Sequence, residues 1–476
     1  MTATTATEWE MVVGLEVHCE LATATKLFCA CRNAFGDEPN TNVCPVCLGL
    51  PGSLPVLNRH AVELAMRVGL ALHSSVEPSL FHRKNYFYPD MPKDYQVSQY
   101  DEPLNVGGWL DLPDGSRVGV TRAHMEEDTG KTTHVGGGGG RIHGADHSLV
   151  DYNRAGVPLV EIVSEPDIRS SEQAKAYVNE LRAILVAIGA SDARMEEGSL
   201  RIDANVSLRR PGAEAFGTRA EIKNLNSVRS LGRALEYEVR RQAGRLEAGE
   251  PVVQETRHWN EDEGRTSSMR SKEEAYDYRY FPEPDLVPLA PSDEWLAGVR
   301  AALPVLPADR RVALAAAAGV AGTDPAVATV VHLGLDDLVL AAVAAGAGGR
   351  LALNRAANEL AHGAVPDAAA FAGVLRMEGD GRLTATQAKA VLAELVASGG
   401  DPEAIAKAKG FEALDGGVVA AAVDAAIAAA PEEWARFVAG EAKVAGFFVG
   451  KVMAATAGKA DGKAVTALLR ERMADR

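Results

Sequence analysis

Glu16, His18 and Glu20 occupy alternate positions in Gly14-Leu15-Glu16-Val17-His18-Cys19-Glu20. Strict alternation of apolar and polar residues marks a half-buried strand, on which side chains two apart share a face. The three polar residues therefore point one way, and Leu15, Val17 and Cys19 turn into the core. Two carboxylates flanking an imidazole on a rigid strand suit a hard divalent cation. For one strand alone, a solvated polar face is the alternative. His124-Met125-Glu126-Glu127-Asp128 supplies a second group of oxygen ligands. Glu161 interrupts the apolar run 159–163, where a carboxylate is expensive unless paired or metal-bound.

Cysteines supply a different chemistry. Cys29-Ala30-Cys31 and Cys44-Pro45-Val46-Cys47 make a C-x-C pair and a C-x-x-C pair, twelve residues apart. Each pair can present two thiolates to one ion, and the loop between them can bring four together tetrahedrally. Four thiolates leave no open position, so the expected site is structural zinc; incidental free thiols are the other reading.

These residues need elements to hold them. Periodicity predicts helices over 60–72 and 171–188, and strands over 118–122 and 159–163. Within 193–209 and 219–226 the polar residues again recur at period two, so paired strands there would place Asp203, Asn205, Glu221 and Lys223 on one polar floor. A helix over 227–248 carries Arg229, Arg233, Arg240, Arg241 and Arg245, which form either an RNA-backbone-contacting face or a solvated one. In His82-Arg83-Lys84-Asn85-Tyr86-Phe87-Tyr88-Pro89-Asp90, Arg83 and Lys84 can hold phosphate and the rings can stack a base. A proline-pinned loop packing its rings inward is the competing reading. Gly130-Lys131-Thr132 is not a P-loop, because Met125 stands where that motif needs glycine. The run Gly136 to Gly140 reads as a hairpin tip.

The 476 residues are 47% hydrophobic, ample for real cores, and carry a net charge of −16. With a pI near 5.3, the chain has no general basic coat for nucleic acid. A local basic surface remains compatible with RNA. No stretch approaches the ~18 uninterrupted apolar residues of a membrane span, and residues 1–7 lack the plan of a signal peptide. A cytoplasmic protein with reduced thiols is expected. The fold class read from these features is α+β. A strand-rich domain is expected over 1–292, an all-α helical domain over 293–408 and a small helical tail over 409–476.

Several stretches together resemble the B subunit of the bacterial tRNA-dependent amidotransferases, which convert Glu-tRNA(Gln) or Asp-tRNA(Asn) to the amide. They are Gly14 to His18, Arg83 to Asp90, His124 to Asp128, Glu161 to Asp167, Met195-Glu196-Glu197-Gly198-Ser199, Lys223-Asn224-Leu225-Asn226-Ser227 and Asp277 to Asp285. Gly446-Phe447-Phe448-Val449-Gly450-Lys451-Val452-Met453 resembles the family's C-terminal module. The resemblance implies that the first domain is a β-rich cradle, and it implies an ATP- and Mg²⁺-dependent kinase and transamidase. A glutaminase A subunit delivers ammonia, a small C subunit joins the two, and a helical tail touches tRNA.

By that resemblance Glu16, His18, Glu126 and Glu127 are the catalytic and metal-site residues, with Glu161 a further metal ligand. His18 is an unusual ligand for Mg²⁺, so it acts through water or binds a transition ion. Asp203, Asn205 and Lys223 are assigned to ATP phosphates or to the acyl group from their predicted strand face alone. Lys443, Lys451, Lys459 and Lys463 are either tail contacts to RNA or bystanders. Two departures stand out: the loop 135–147 is longer than the family usually carries, and the C-terminal half is Ala-enriched. The alternatives are a tRNA-binding scaffold without chemistry and the archaeal-type relative with a different glutaminase partner. That relative carries a large inserted domain, for which the run from Pro284 to Asp293 leaves no room.

Overall fold

The computed structural model describes residues 9–136, 144–269, 278–360, 364–411, 416–456, 460 and 462–474. The glycine run expected at a hairpin tip falls almost wholly outside the described residues, as do Asp277 and Lys459. The chain forms two compact units, Met1–Ala308 and Asp309–Arg476.

The first unit is built on one large sheet. Its strands are β1 (Glu10–Glu20), β2 (Ser75–Val76), β3 (His82–Asn85), β4 (Tyr95–Ser98), β5 (Asn105–Val106), β6 (Trp109–Asp111) and β7 (Arg117–Glu127). After a separate hairpin of β8 (Lys131–Val135) and β9 (His147–Asp151) come β10 (Pro158–Ser164), β11 (Leu200–Arg209), β12 (Ala220–Lys223), β13 (Glu255–Asn260), β14 (Arg265–Ser268) and β15 (Phe281–Pro282). The main path runs β14-β13-β12-β11-β1-β10-β7-β4-β3-β15. Pairing along it is antiparallel except between β12 and β13. β1 lies in the middle, between β10 and β11.

Alternation decides the two faces. Leu15, Val17, Cys19, Val160, Ile162, Ile202 and Ala204 are buried in one core together with helices α1 (Arg59–Ala71), α2 (Ser171–Ala187) and α3 (Val228–Glu247). The alternate residues Glu16, His18, Glu161, Arg201 and Asp203 of the same strands make the opposite face polar. Each helix starts where a side chain caps it: Asn58, Ser170 and Ser227 accept from backbone N–H groups of the first turn.

The first unit extends past the boundary expected at 292. Helix α4 (Asp293–Ala301) packs against this core through Trp295, Leu296 and Val299, and Trp295 Nε1 donates to Glu63 at 3.0 Å. The composition turns alanine-rich here, but the apolar stripe of α4 faces the sheet unit. Among the described residues the regular elements of the second unit are all helical. Its apolar residues form two clusters, one from Leu314 to Ala406 and one from Val419 to Leu469. No single described helix is long and apolar enough to cross a membrane.

The loop at 82–92 resolves into two roles. Arg83 makes a two-pronged ion pair with Glu283, at 2.7 Å on both arms, under the rings of Tyr95 and Phe281. It ties β15 to β3 and is not free to hold phosphate. Lys84, the next residue, faces the other way and lines the cleft described below. The Glu283 side chain is 1% exposed. Arg83→Ala should therefore strand a buried carboxylate and lower stability by about 3–5 kcal/mol, read from the denaturant midpoint.

Candidate functional site

Cross-strand register assembles the polar face. His18 of β1 stands opposite Glu161 of β10 on one side and Arg201 of β11 on the other. Glu161 stands opposite His124 of β7, and Glu16 opposite Asp203. His18 Nε2 lies 3.4 Å from Glu161 and 3.9 Å from Glu126. One ligand atom from each of these three residues lies within 4.8 Å of the others. Ligands ~2.1 Å from one cation sit ~3.0–4.2 Å apart, so the three can share an ion. His124 is fully buried, with Nε2 3.9 Å from both Glu126 and Glu161, and neither of its ring nitrogens has a hydrogen-bond partner. A buried imidazole without partners beside two carboxylates is what a further ligand in this space would satisfy.

The charges are strained by burial. Burial raises the Glu126 pKa, and Glu161 adds to it. Glu16 is raised by burial and then by Glu161, Glu221 and Asp203. For Glu161 burial works upward, but the His18 hydrogen bond, His124 and Arg122 hold it well below the usual carboxylate range. His18 goes the other way: burial opposes its charge, yet Glu161 and Glu126 raise its pKa. Burial pushes His124 down to about 4, so it is neutral near pH 7.

The remaining expected residues fall in three places. Asn205 donates to Glu16 Oε1 at 2.9 Å, and Lys223 bridges Asp203 at 2.7 Å and Glu221 at 2.9 Å. These make the predicted polar floor next to the His18 group. Glu127 is not with them. Period two turns its carboxylate to the opposite face of β7, where it accepts from the Val97 N–H at 3.0 Å and pairs with Lys93. Consecutive acidic residues in a strand cannot share a face. The arginines of α3 are largely committed: Arg233 pairs with Glu261, Arg241 with Glu238 and Arg245 with Glu250.

A cleft of about 1050 Å³ opens over this face. His18, Glu126, Lys84, Arg201, Asp203 and Lys223 line it. So does a second acid group, Glu20 and Asp128, whose two members the sequence pattern marks separately and the fold brings together. Asp128 pairs with Arg201 and lies 3.7 Å from Arg154, while Glu20, beside it, is pushed up to about 8 by burial and by Asp128. His124 is visible in the sequence as a neighbour of Glu126 at period two; its meeting with Glu161 needs the register.

The four cysteines also converge. Cys47 Sγ lies 3.6 Å from Cys29 and 3.7 Å from both Cys31 and Cys44. Sulfurs ~2.3 Å from a tetrahedral ion are ~3.8 Å apart, so the cluster fits one metal ion. The fully buried Lys26 donates to Cys47 Sγ at 3.5 Å. The Cys29 hydrogen bond and Lys26 lower the Cys47 pKa against the effect of burial. Cys19 is buried in the core as expected.

A sequence model of the GatB/GatE catalytic domain matches residues 11–297, and one of a GatB domain matches 351–473. The B subunit of the aspartyl/glutamyl-tRNA(Asn/Gln) amidotransferase of Frankia casuarinae is 52% identical, over 98% of this chain and 96% of its own. Those of Nocardia farcinica and Streptomyces avermitilis are 51% and 49% identical over comparable spans. The chain belongs to the amidotransferase B-subunit family. The catalytic-domain match of that family takes in every residue of the polar face and the four cysteines, and it ends within α4, beyond residue 292. This agrees with α4 packing on the first unit.

The face assignment within the B-subunit catalytic domain can be tested on two neighbours. Glu127→Gln should break a buried ion pair and cost about 3–5 kcal/mol. Glu126→Gln should raise the melting temperature of chelator-treated protein at neutral pH. A carboxyl whose folded pKa is raised loses stability as pH climbs through its range, and the neutral amide removes that penalty.

Proposed function

We propose that this chain activates and amidates the side-chain carboxylate of a mischarged Glu-tRNA(Gln) or Asp-tRNA(Asn). ATP phosphorylates the carboxylate, and ammonia displaces the phosphate. The observation that carries the reading is the convergence of His18, Glu126 and Glu161, the first two of which line a cleft that also holds Lys84, Arg201 and Lys223. A carboxylate is a poor electrophile until it carries a leaving group. Phosphoryl transfer needs charge neutralisation and positioning more than a protein nucleophile.

The residues fit a divalent cation by donor type and spacing. His18, Glu126 and Glu161 would hold it, with Glu16 close by. When bound, Mg²⁺ supplies neutralisation of phosphate charge; the imidazole in the donor set also suits a transition ion. Lys223, oriented by Asp203 and Glu221, extends a cation toward nucleotide phosphates. Asn205 acts by holding Glu16 in place. Lys84 and Arg201 offset charge at the cleft walls. His124, neutral and buried, contributes shape and a donor without adding charge.

The proposed setting is a cytoplasmic heterotrimer with a glutaminase A subunit and a small C subunit, acting on tRNA, with structural zinc in the cysteine cluster. The short passage from β15 to α4 favours this bacterial arrangement over the archaeal-type one. Reconstituted with its partners, Glu126→Ala should reduce ATP- and tRNA-dependent amidation by a hundredfold or more, while the partner still hydrolyses glutamine. Full amidation by that variant would remove Glu126 from the site. Elemental analysis should return about one zinc per chain, lost in Cys44→Ser.

A further inference from the structure

The segment between the two thiol pairs forms one rim of the cleft, with Asn33, Phe35 and Asp37 lining it. Phe35 is 73% exposed. An isolated exposed ring is ordinary, but this one stands on a backbone pinned from several directions. The sulfurs hold both ends of the segment. Asn33 Nδ2 donates to Leu21 O at 3.1 Å. Asn40 donates to Asp151 Oδ1 at 3.0 Å and accepts from the Tyr152 N–H at 2.8 Å. Asn42 N–H donates to Asn153 Oδ1 at 2.8 Å, and Asn153 Nδ2 returns a bond to Glu38 O at 2.7 Å. Lys26 clamps the far side, from Cys47 to Tyr152 O at 3.2 Å. Four cysteines, a buried lysine and four asparagines thus fix the place of a ring that packs into no core.

We infer that Phe35 is a stacking platform for an adenine ring, that of the terminal adenosine of the tRNA acceptor strand. This rests on the amidation reading above. In that reading the amino acid is esterified to the terminal adenosine. A side-chain carboxylate at the His18–Glu126–Glu161 group leaves its own adenosine within the same cleft, a few bonds away. The charges near the platform point to a base rather than a triphosphate. Asp37 and Asp151 line the cleft with it, and Asp37 is paired with Arg32. Arg154 is occupied by Asp128 and by the carbonyls of Thr129 and Gly130, and Lys131 adds one ammonium against a triphosphate's several charges. Lys223, suited to a nucleotide's phosphates, belongs to the strand floor. Aromatic stacking tolerates any base but is lost on truncation, at a cost of roughly tenfold or more in affinity.

The test uses the assembled complex with wild-type chain, Phe35→Ala and Phe35→Trp. The probe is uncharged tRNA carrying 2-aminopurine as its terminal base, whose fluorescence falls on stacking. Wild type and Phe35→Trp should quench it and Phe35→Ala should not. Phe35→Ala should raise KM for mischarged tRNA about tenfold, with KM for ATP and glutamine hydrolysis unchanged. Equal quenching by Phe35→Ala, or a rise in KM for ATP instead of tRNA, overturns the assignment. If the wild-type complex fails to amidate any mischarged tRNA, the amidation reading fails, and quenching alone then decides whether the platform exists.

Discussion

The first unit depends on one electrostatic constraint: carboxylates crowded on a sheet face must be kept from repelling each other and from losing solvent. Glu16, Glu126, Glu161, Asp203 and Glu221 share that face, and only some have an opposite charge in direct contact. Glu161 is drawn down by His18, His124 and Arg122, so its charge is secure. Glu16 and Glu126 are pushed up, so theirs is not. A face left in this imbalance has free energy available for whatever positive charge arrives. The apolar side, packed with α1 to α4, supplies the rigidity that lets the imbalance stand.

Alternation along single strands is readable residue by residue, and it places Glu16, His18, Glu161, Asp203, Asn205 and Lys223 on polar faces. Pairing is not readable. Nothing local in β7 or β10 says that His124 meets Glu161, because that contact depends on the register of strands 37 positions apart along the chain. Glu127 shows the same rule applied too loosely, since adjacent acids look like a cluster in a string of letters and stand on opposite faces in a strand. Arg83 and Lys84 divide for the same reason. The change to alanine-rich sequence near 293 marks where composition shifts, while three apolar residues of α4 decide where the first unit stops.

The cysteine cluster is legible because its logic is local: two short pairs and one loop. Its electrostatic support is not. Lys26 sits three residues before Cys29 and looks like an ordinary surface lysine, yet it is fully buried. Four thiolates around one divalent ion carry excess negative charge. A buried ammonium against one sulfur offsets part of it and joins the cluster to the backbone at Tyr152.

The position of β1 has a consequence for how the chain is made. This strand leaves the ribosome before the others yet sits at the middle of the sheet, and its two neighbours are Pro158–Ser164 and Leu200–Arg209. Neither exists until much later in synthesis, a wait on the order of 10–40 s at ordinary elongation rates. Through that interval both edges of an apolar-faced strand are open to wrong pairing. The strand bearing His18 is thus the earliest made yet stays unenclosed until residue 209 is made, and nascent chains of this protein should lean on chaperones until then.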